Sequence, residues 1–219
     1  MTDQSRPYRM KRRADSQKET RRRITESAVE LHGTLGPSRT SMSAVAQHAR
    51  VRRSTLYRHF PDEAALFDAC TAHWAASNPP PDLTAWSALG DPDERVTVAL
   101  GELYAFYRRT ESMLENLFRD EVTVPMVRER FAAFRGYFAS AQDTLMADRK
   151  LRGVVAIRTR AVLGHSIAFS TWKSLVREQG LEDAAAVELM CALVGAAGQR
   201  SLLARQSLSI AGRVSGDRR

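Results

Sequence analysis

The chain has only two cysteines, Cys70 and Cys191, far apart and in no CxxC or Cys–His spacing. A disulfide framework, a zinc site and a thiol redox motif therefore lack support, and both residues read as buried apolar side chains. No run approaches the roughly 18 apolar residues of a membrane span, and the N-terminus lacks the continuous apolar stretch of a signal peptide. The protein is expected in the cytoplasm, with no membrane partner. No segment alternates with the period of two that strands show, which points to an all-α fold. GxSxG, HExxH, phosphate-loop and dinucleotide fingerprints are missing from every credible place, so neither an enzyme nor a bound cofactor or metal is expected.

Positive charge is in excess, and it is concentrated. Residues 1–60 hold 14 Lys or Arg against 5 Asp or Glu, a net +9, whereas residues 61–219 hold 19 against 20, a net −1. A uniformly basic surface would suit nonspecific polyanion binding. This partition suits one docking face on a near-neutral body.

Within the basic part, Thr40 to Phe60 reads TSMSAVAQHARVRRSTLYRHF. Met42, Val45, Ala46 and Ala49 recur at the spacing of one buried helical face, with Thr40 or Ser41 placed to cap the first free N–H groups. After a short break, Val51, Leu56 and Phe60 form the buried side of a second helix, whose other face is Arg53, Ser54, Tyr57 and Arg58. A turn of about three residues forces a steep crossing, the helix-turn-helix arrangement that lays its second helix in a major groove. Arginine there reaches two acceptors on guanine, and serine bonds a base edge or a phosphate.

Leu56-Tyr57-Arg58-His59-Phe60-Pro61-Asp62, followed by Ala65-Leu66-Phe67, resembles the junction after the recognition helix in the tetracycline-repressor (TetR/AcrR) family of bacterial transcription regulators. The resemblance covers roughly residues 18 to 70. It implies that Arg53 and Ser54 read bases and that Thr55, Tyr57 and His59 hold phosphates, with Tyr57 also within reach of a base. Arg50, Arg52, Arg58 and Thr40 complete the DNA-facing set.

Some positions depart from the family pattern. Arg50 stands where a turn glycine is usual, predicting local strain or another turn shape. Arg52 replaces a serine cap, opposing the helix dipole by a few tenths of a kcal/mol, roughly, while offering a cation to DNA. His32 replaces a common aromatic residue. Glu63 replaces a common phosphate-binding lysine, so that contact is expected to be missing.

The pattern predicts about nine helices. A disordered basic arm is expected over residues 1–16, as a solvated tail or as an arm that tracks phosphates. The helix-turn-helix domain follows over 17–61, with a first helix from about Gln17 to Leu35 ended by Gly36-Pro37, and then a connecting helix over 62–78. A ligand-binding and dimerisation domain spans 79–207, opening on a loose segment to Gly90. Its helices are expected near 92–109, 111–121, from Pro125, 151–179 and 182–206, before a frayed tail over 208–219.

Phe106, Tyr107, Phe118, Phe134, Tyr137, Phe138, Phe169 and Trp172 sit where the resemblance places an effector pocket, with Arg130 and His165 as polar candidates. Packing alone also produces such aromatic stripes, so core and pocket wall both remain open. The last long helix is apolar on several sides and carries Gly195-Ala196-Ala197-Gly198. Gly195, Ala196 and Gly198 would let another helix approach closely, from this chain or from a second subunit.

The resemblance favours a two-fold homodimer on a roughly palindromic double-stranded operator, with a small-molecule effector that releases the repressor. The alternative is a nonspecific nucleic-acid or anionic-surface binding protein without an effector.

Overall fold

The computed structural model describes residues 5–199. Among them are eleven α-helices and no strand. No described helix is long and apolar enough to cross a membrane. The chain divides into two compact units: one runs up to Pro80 and adds Arg108–Phe134, the other combines Pro81–Tyr107 with the residues from Arg135 onward.

In the first unit, α1 runs Ser5–Thr34, so the arm expected to be loose is helical from Ser5. Pro7 lies in the first turn, where a missing N–H goes unused. No other breaker intervenes before Gly33, and Arg22 bonds Glu19 (2.7 Å) and Glu26 (2.6 Å) along the helix. Gly36, with φ 93°, ends the run and opens a 3-10 turn, Pro37–Arg39. Leu35, the expected end of the helix, falls beyond its last turn and is exposed.

Ser41 caps α2 (Met42–His48), accepting from Ala44 N at 3.2 Å. The next helix, α3, is Arg53–His59, and Asp62 caps α4 (Glu63–Ser77) by accepting from Ala65 N at 2.8 Å. Ile24, Ala28, Val45, Ala46, Leu56, Phe60, Leu66 and Phe67 form the core, joined by Val127 from α7 (Pro125–Arg130).

The second unit begins with a short helix inside the segment expected to be loose, α5 (Leu83–Ser87). Its Trp86 is fully buried and donates Nε1 to Glu102 Oε2 at 2.7 Å. Two expected helices are one: α6 runs Pro92–Asp120 without a break, since nothing near Thr110 interrupts the backbone ladder. Its residues up to Tyr107 belong to the second unit and those from Arg108 to the first. After the turn at Phe131 comes α8 (Ala132–Met146).

The helix expected over 151–179 is broken into α9 (Gly153–Ser166), α10 (Phe169–Lys173) and a π-helical turn (Ser174–Glu178). Three successive carbonyls at the break accept side-chain donors. Thr171 Oγ1 bonds His165 O (2.6 Å), Tyr104 OH bonds Ser166 O (3.0 Å), and Tyr107 OH bonds Ile167 O. The groups freed by ending α9 are thereby satisfied. The last described helix, α11, is Asp183–Gly198. The expected continuation to residue 206, the domain end at 207 and the tail over 208–219 lie outside the described residues.

Candidate nucleic-acid interface

Backbone geometry decides how α2 hands over to α3. Arg50 N donates to Gln47 O (3.0 Å) and Val51 N to Ala46 O (2.9 Å), the paired bonds of a Schellman motif. The motif needs a left-handed residue, and Arg50 supplies it at φ 53°. The strain expected from a missing glycine therefore takes this form: a side chain in a conformation costing about 1–2 kcal/mol. Arg52 then occupies the N-cap of α3 in extended conformation without bonding a helix N–H, and its guanidinium stays exposed.

Leu56 and Phe60 anchor α3 and are fully buried, with Val51 half-buried beside them. Arg53, Ser54, Tyr57 and Arg58 are exposed, and Thr55 and His59 are half-buried. Arg53 Cζ lies 5.9 Å from the Tyr57 ring centre one turn along, so the two share one outward face.

Thr40 does not join this face. It is buried and its hydroxyl donates to Gly36 O at 2.8 Å, because the cap position belongs to Ser41.

The far end of α3 is fixed by a residue that local spacing did not single out. Arg21 of α1 donates Nη1 to His59 O at 2.6 Å, and its Cζ sits 4.1 Å over the Phe60 ring. A cation on the last carbonyls of a helix also complements its dipole. The two residues are 38 apart in sequence, so only the basic character of α1 was a clue. Burial lowers the His59 pKa, aided by the charges of Arg58 and Arg21. The shift favours the neutral imidazole.

A second support comes from the last turn of α6. Asn116 Nδ2 donates to His32 O (3.0 Å) and Gly33 O (2.8 Å), Arg119 Nη2 to Leu35 O (2.9 Å), and Asp120 Oδ2 accepts from Ser38 N (2.9 Å). Burial alone would raise the Asp120 pKa, but the Arg119 and Ser38 donors outweigh it and hold the carboxyl below its ordinary value. A Cβ at Gly36 would lie 2.1 Å from Arg119 Nη2 and 2.6 Å from Asp120 Oδ2, so this corner accepts only glycine.

Beneath it, His32 is buried against Phe67, with ring centres 5.5 Å apart and Nδ1 3.3 Å from Cys70 Sγ. Burial lowers the imidazole pKa to about 4 and raises that of the thiol to about 12. Both are neutral packing groups.

The ten effector-pocket candidates separate. Phe118, Arg130 and Phe134 belong to the first unit, where Phe118 packs on Phe131 at 5.0 Å and Arg130 is paired with Asp68, its Nη2 at 3.2 Å from Oδ2. In the second unit, Tyr107 is the centre of a cluster with Phe106 (6.0 Å), Phe138 (6.4 Å), Phe169 (5.4 Å) and Trp172 (5.9 Å). Its polar edges are satisfied inside the unit: Trp172 Nε1 donates to Asp183 Oδ1 and Tyr137 OH to Pro81 O, both at 3.0 Å. His165 is exposed, with Nδ1 3.3 Å from the Thr171 hydroxyl.

Of the dimer candidates, Gly195 and Ala196 are exposed and Gly198 is half-buried. A Cβ at either glycine would meet nothing within 4 Å, so no helix among the described residues makes use of them. Val154 and Ile157 on α9, with Leu189 and Leu193 on α11, are also exposed, and the two helices pack against each other.

Residues 24–70 match the family model described as bacterial regulatory proteins, tetR family. No curated protein matches the chain. Among solved structures, a TetR-like transcriptional regulator from Rhodococcus sp. RHA1 is similar over 82% of this chain and 97% of that one, at 21% identity and TM-score 0.59. A regulator assigned to the TetR family in Mesorhizobium loti matches over 83% and 96%, at 17% identity and TM-score 0.58. An HlyIIR protein carrying a GSSGSSG linker matches over 85% and 99%, at 13% identity and TM-score 0.60. At such identities the likeness is one of fold.

Proposed function

We propose that this chain, which belongs through its helix-turn-helix head to the tetR family of bacterial regulatory proteins, is a homodimeric transcriptional repressor that a small molecule releases from its operator. The observation that carries the reading is α3, pinned at its C-terminal end by Arg21 and through its buried anchors, with Arg53, Ser54, Tyr57 and Arg58 turned outward. Arg53 is assigned to a guanine edge and Ser54 to a base or phosphate. Thr55, Tyr57, His59, Arg50, Arg52 and Arg58 are assigned to phosphates, which set register without reading sequence.

Dimerisation is assigned to the apolar faces of α9 and α11 at Val154, Ile157, Leu189 and Leu193, extended by the open stripe at Gly195 and Ala196. A two-fold axis there gives two copies of α3 and hence a roughly palindromic site. The effector is assigned to the aromatic interior of the second unit, around Tyr107, Phe138 and Trp172. A ligand wedged among these rings must favour a conformation that binds DNA less well.

Selection of bound sequences from random duplex DNA tests the proposal. Enrichment of two inverted half-sites at fixed spacing is the expected result. Equal retention of scrambled DNA, or of anionic vesicles in its place, would replace it with nonspecific polyanion binding.

A further inference from the structure

The family match begins at residue 24, whereas α1 begins at Ser5, so roughly five helical turns precede the matched head. From Met10 to Arg23 every residue is exposed except Thr20, which is half-buried. A helix polar on all sides gains nothing from a core, and it persists through its own ion pairs or a partner. Its own pairs are few. The stretch holds seven Lys or Arg against two Asp or Glu. Arg22 takes Glu19 and Glu26, and Arg21 is held on α3. Lys11, Arg13 and Lys18 have no ion-pair partner among the described residues, and Arg12 lies 5.8 Å over the Tyr8 ring.

The position of this charge matters as much as its sign. Arg21 touches the C-terminal carbonyl of α3, so α1 passes the end of the recognition helix. Lys18 and Lys11 lie 3 and 10 residues before Arg21, on the same half of the helix. They form a basic stripe that starts at α3 and extends about 15 Å from it at about 1.5 Å per residue.

We infer that residues 10–23 are a second DNA-contacting element: a rigid cationic helix that lies along the phosphate backbone flanking the site read by α3. Flexible lysines and arginines without a docked groove geometry meet phosphates rather than base edges, so the contact strengthens binding without changing the preferred sequence. The inference rests on the DNA-binding reading of α3.

The test compares the full chain with two variants, on the selected operator and on scrambled duplex, across a salt series. Replacing Lys11, Arg12 and Arg13 together by alanine should weaken both complexes about tenfold near 0.1 M salt and lower the salt slope by up to about 3. Ala14→Pro keeps every charge but interrupts the helix, and it should produce a comparable loss. Circular dichroism and thermal melting verify that both variants keep the head folded.

Unchanged affinity and slope in the triple variant would overturn the inference while leaving the operator reading intact. Full affinity for Ala14→Pro would overturn the rigid-helix form and make the segment a flexible arm. Loss of binding to phosphatidylserine vesicles with DNA binding untouched would reassign it to a membrane surface. If the full chain binds no DNA at all, the reading of α3 and this one fall together.

Discussion

On α3 the residues assigned to recognition stand outside, with Leu56 and Phe60 beneath them as anchors. In the second unit the aromatic residues assigned to an effector lie inside, and their hydroxyl and indole donors are already used on Pro81 O, Ile167 O and Asp183. An outward recognition face is what remains after a helix buries its other side, so periodicity alone locates it. An inward pocket wall and a packed core draw on the same residues, and periodicity cannot separate them.

The contrast can be tested at four points, from the largest effect to the smallest. Tyr107→Ala removes the ring at the centre of the aromatic cluster and should cost about 3–5 kcal/mol in chemical denaturation. A cost under about 1 kcal/mol would mean that the cluster is loose enough to be a preformed pocket.

The head should show an acid weakness of its own. Below pH 6.5 the unfolded His32 takes up a proton that the folded one refuses until about pH 4. Stability therefore falls by about 3 kcal/mol as pH drops through that window. His32→Phe should flatten the profile, and an unchanged profile would place the acid sensitivity elsewhere.

Arg53→Ala should cost about 1–3 kcal/mol of binding on the operator and relax preference at one base position. The same loss on scrambled DNA would turn Arg53 into a phosphate ligand. Arg50→Gly should stabilise the fold by about 1 kcal/mol by relieving the left-handed turn, while weakening DNA binding slightly through one lost cation. A melting temperature that does not rise would show that the turn carries no strain.

The helix-turn-helix is legible because its evidence is local: the buried faces of α2 and α3, the Ser41 cap, and an arginine in a turn that requires positive φ. What was missed is non-local, or polar where a core was sought. Arg21 reaches α3 from 38 residues away, and Asn116, Arg119 and Asp120 reach the α1–α2 corner from 82 to 84 residues away. The break after α9 depends on two tyrosines of α6, about 60 residues earlier in the chain, and no pattern within 151–179 announces it. The start of α1 reads as a loose arm in the sequence because charge density looks the same in a solvated tail and in an exposed helix.

The clamp formed by Asn116, Arg119 and Asp120 also sets an order of synthesis. Phe60 is translated 56 residues before Asn116, so at 5–20 residues per second α3 leaves the ribosome roughly 3–11 s before its corner can be locked. Val127, part of the same core, arrives later still. A fragment ending at Pro80 is therefore not a smaller version of the reading head. The proposed reading head gains its full set of supporting contacts once the far end of α6 and the α7 segment behind it have been made.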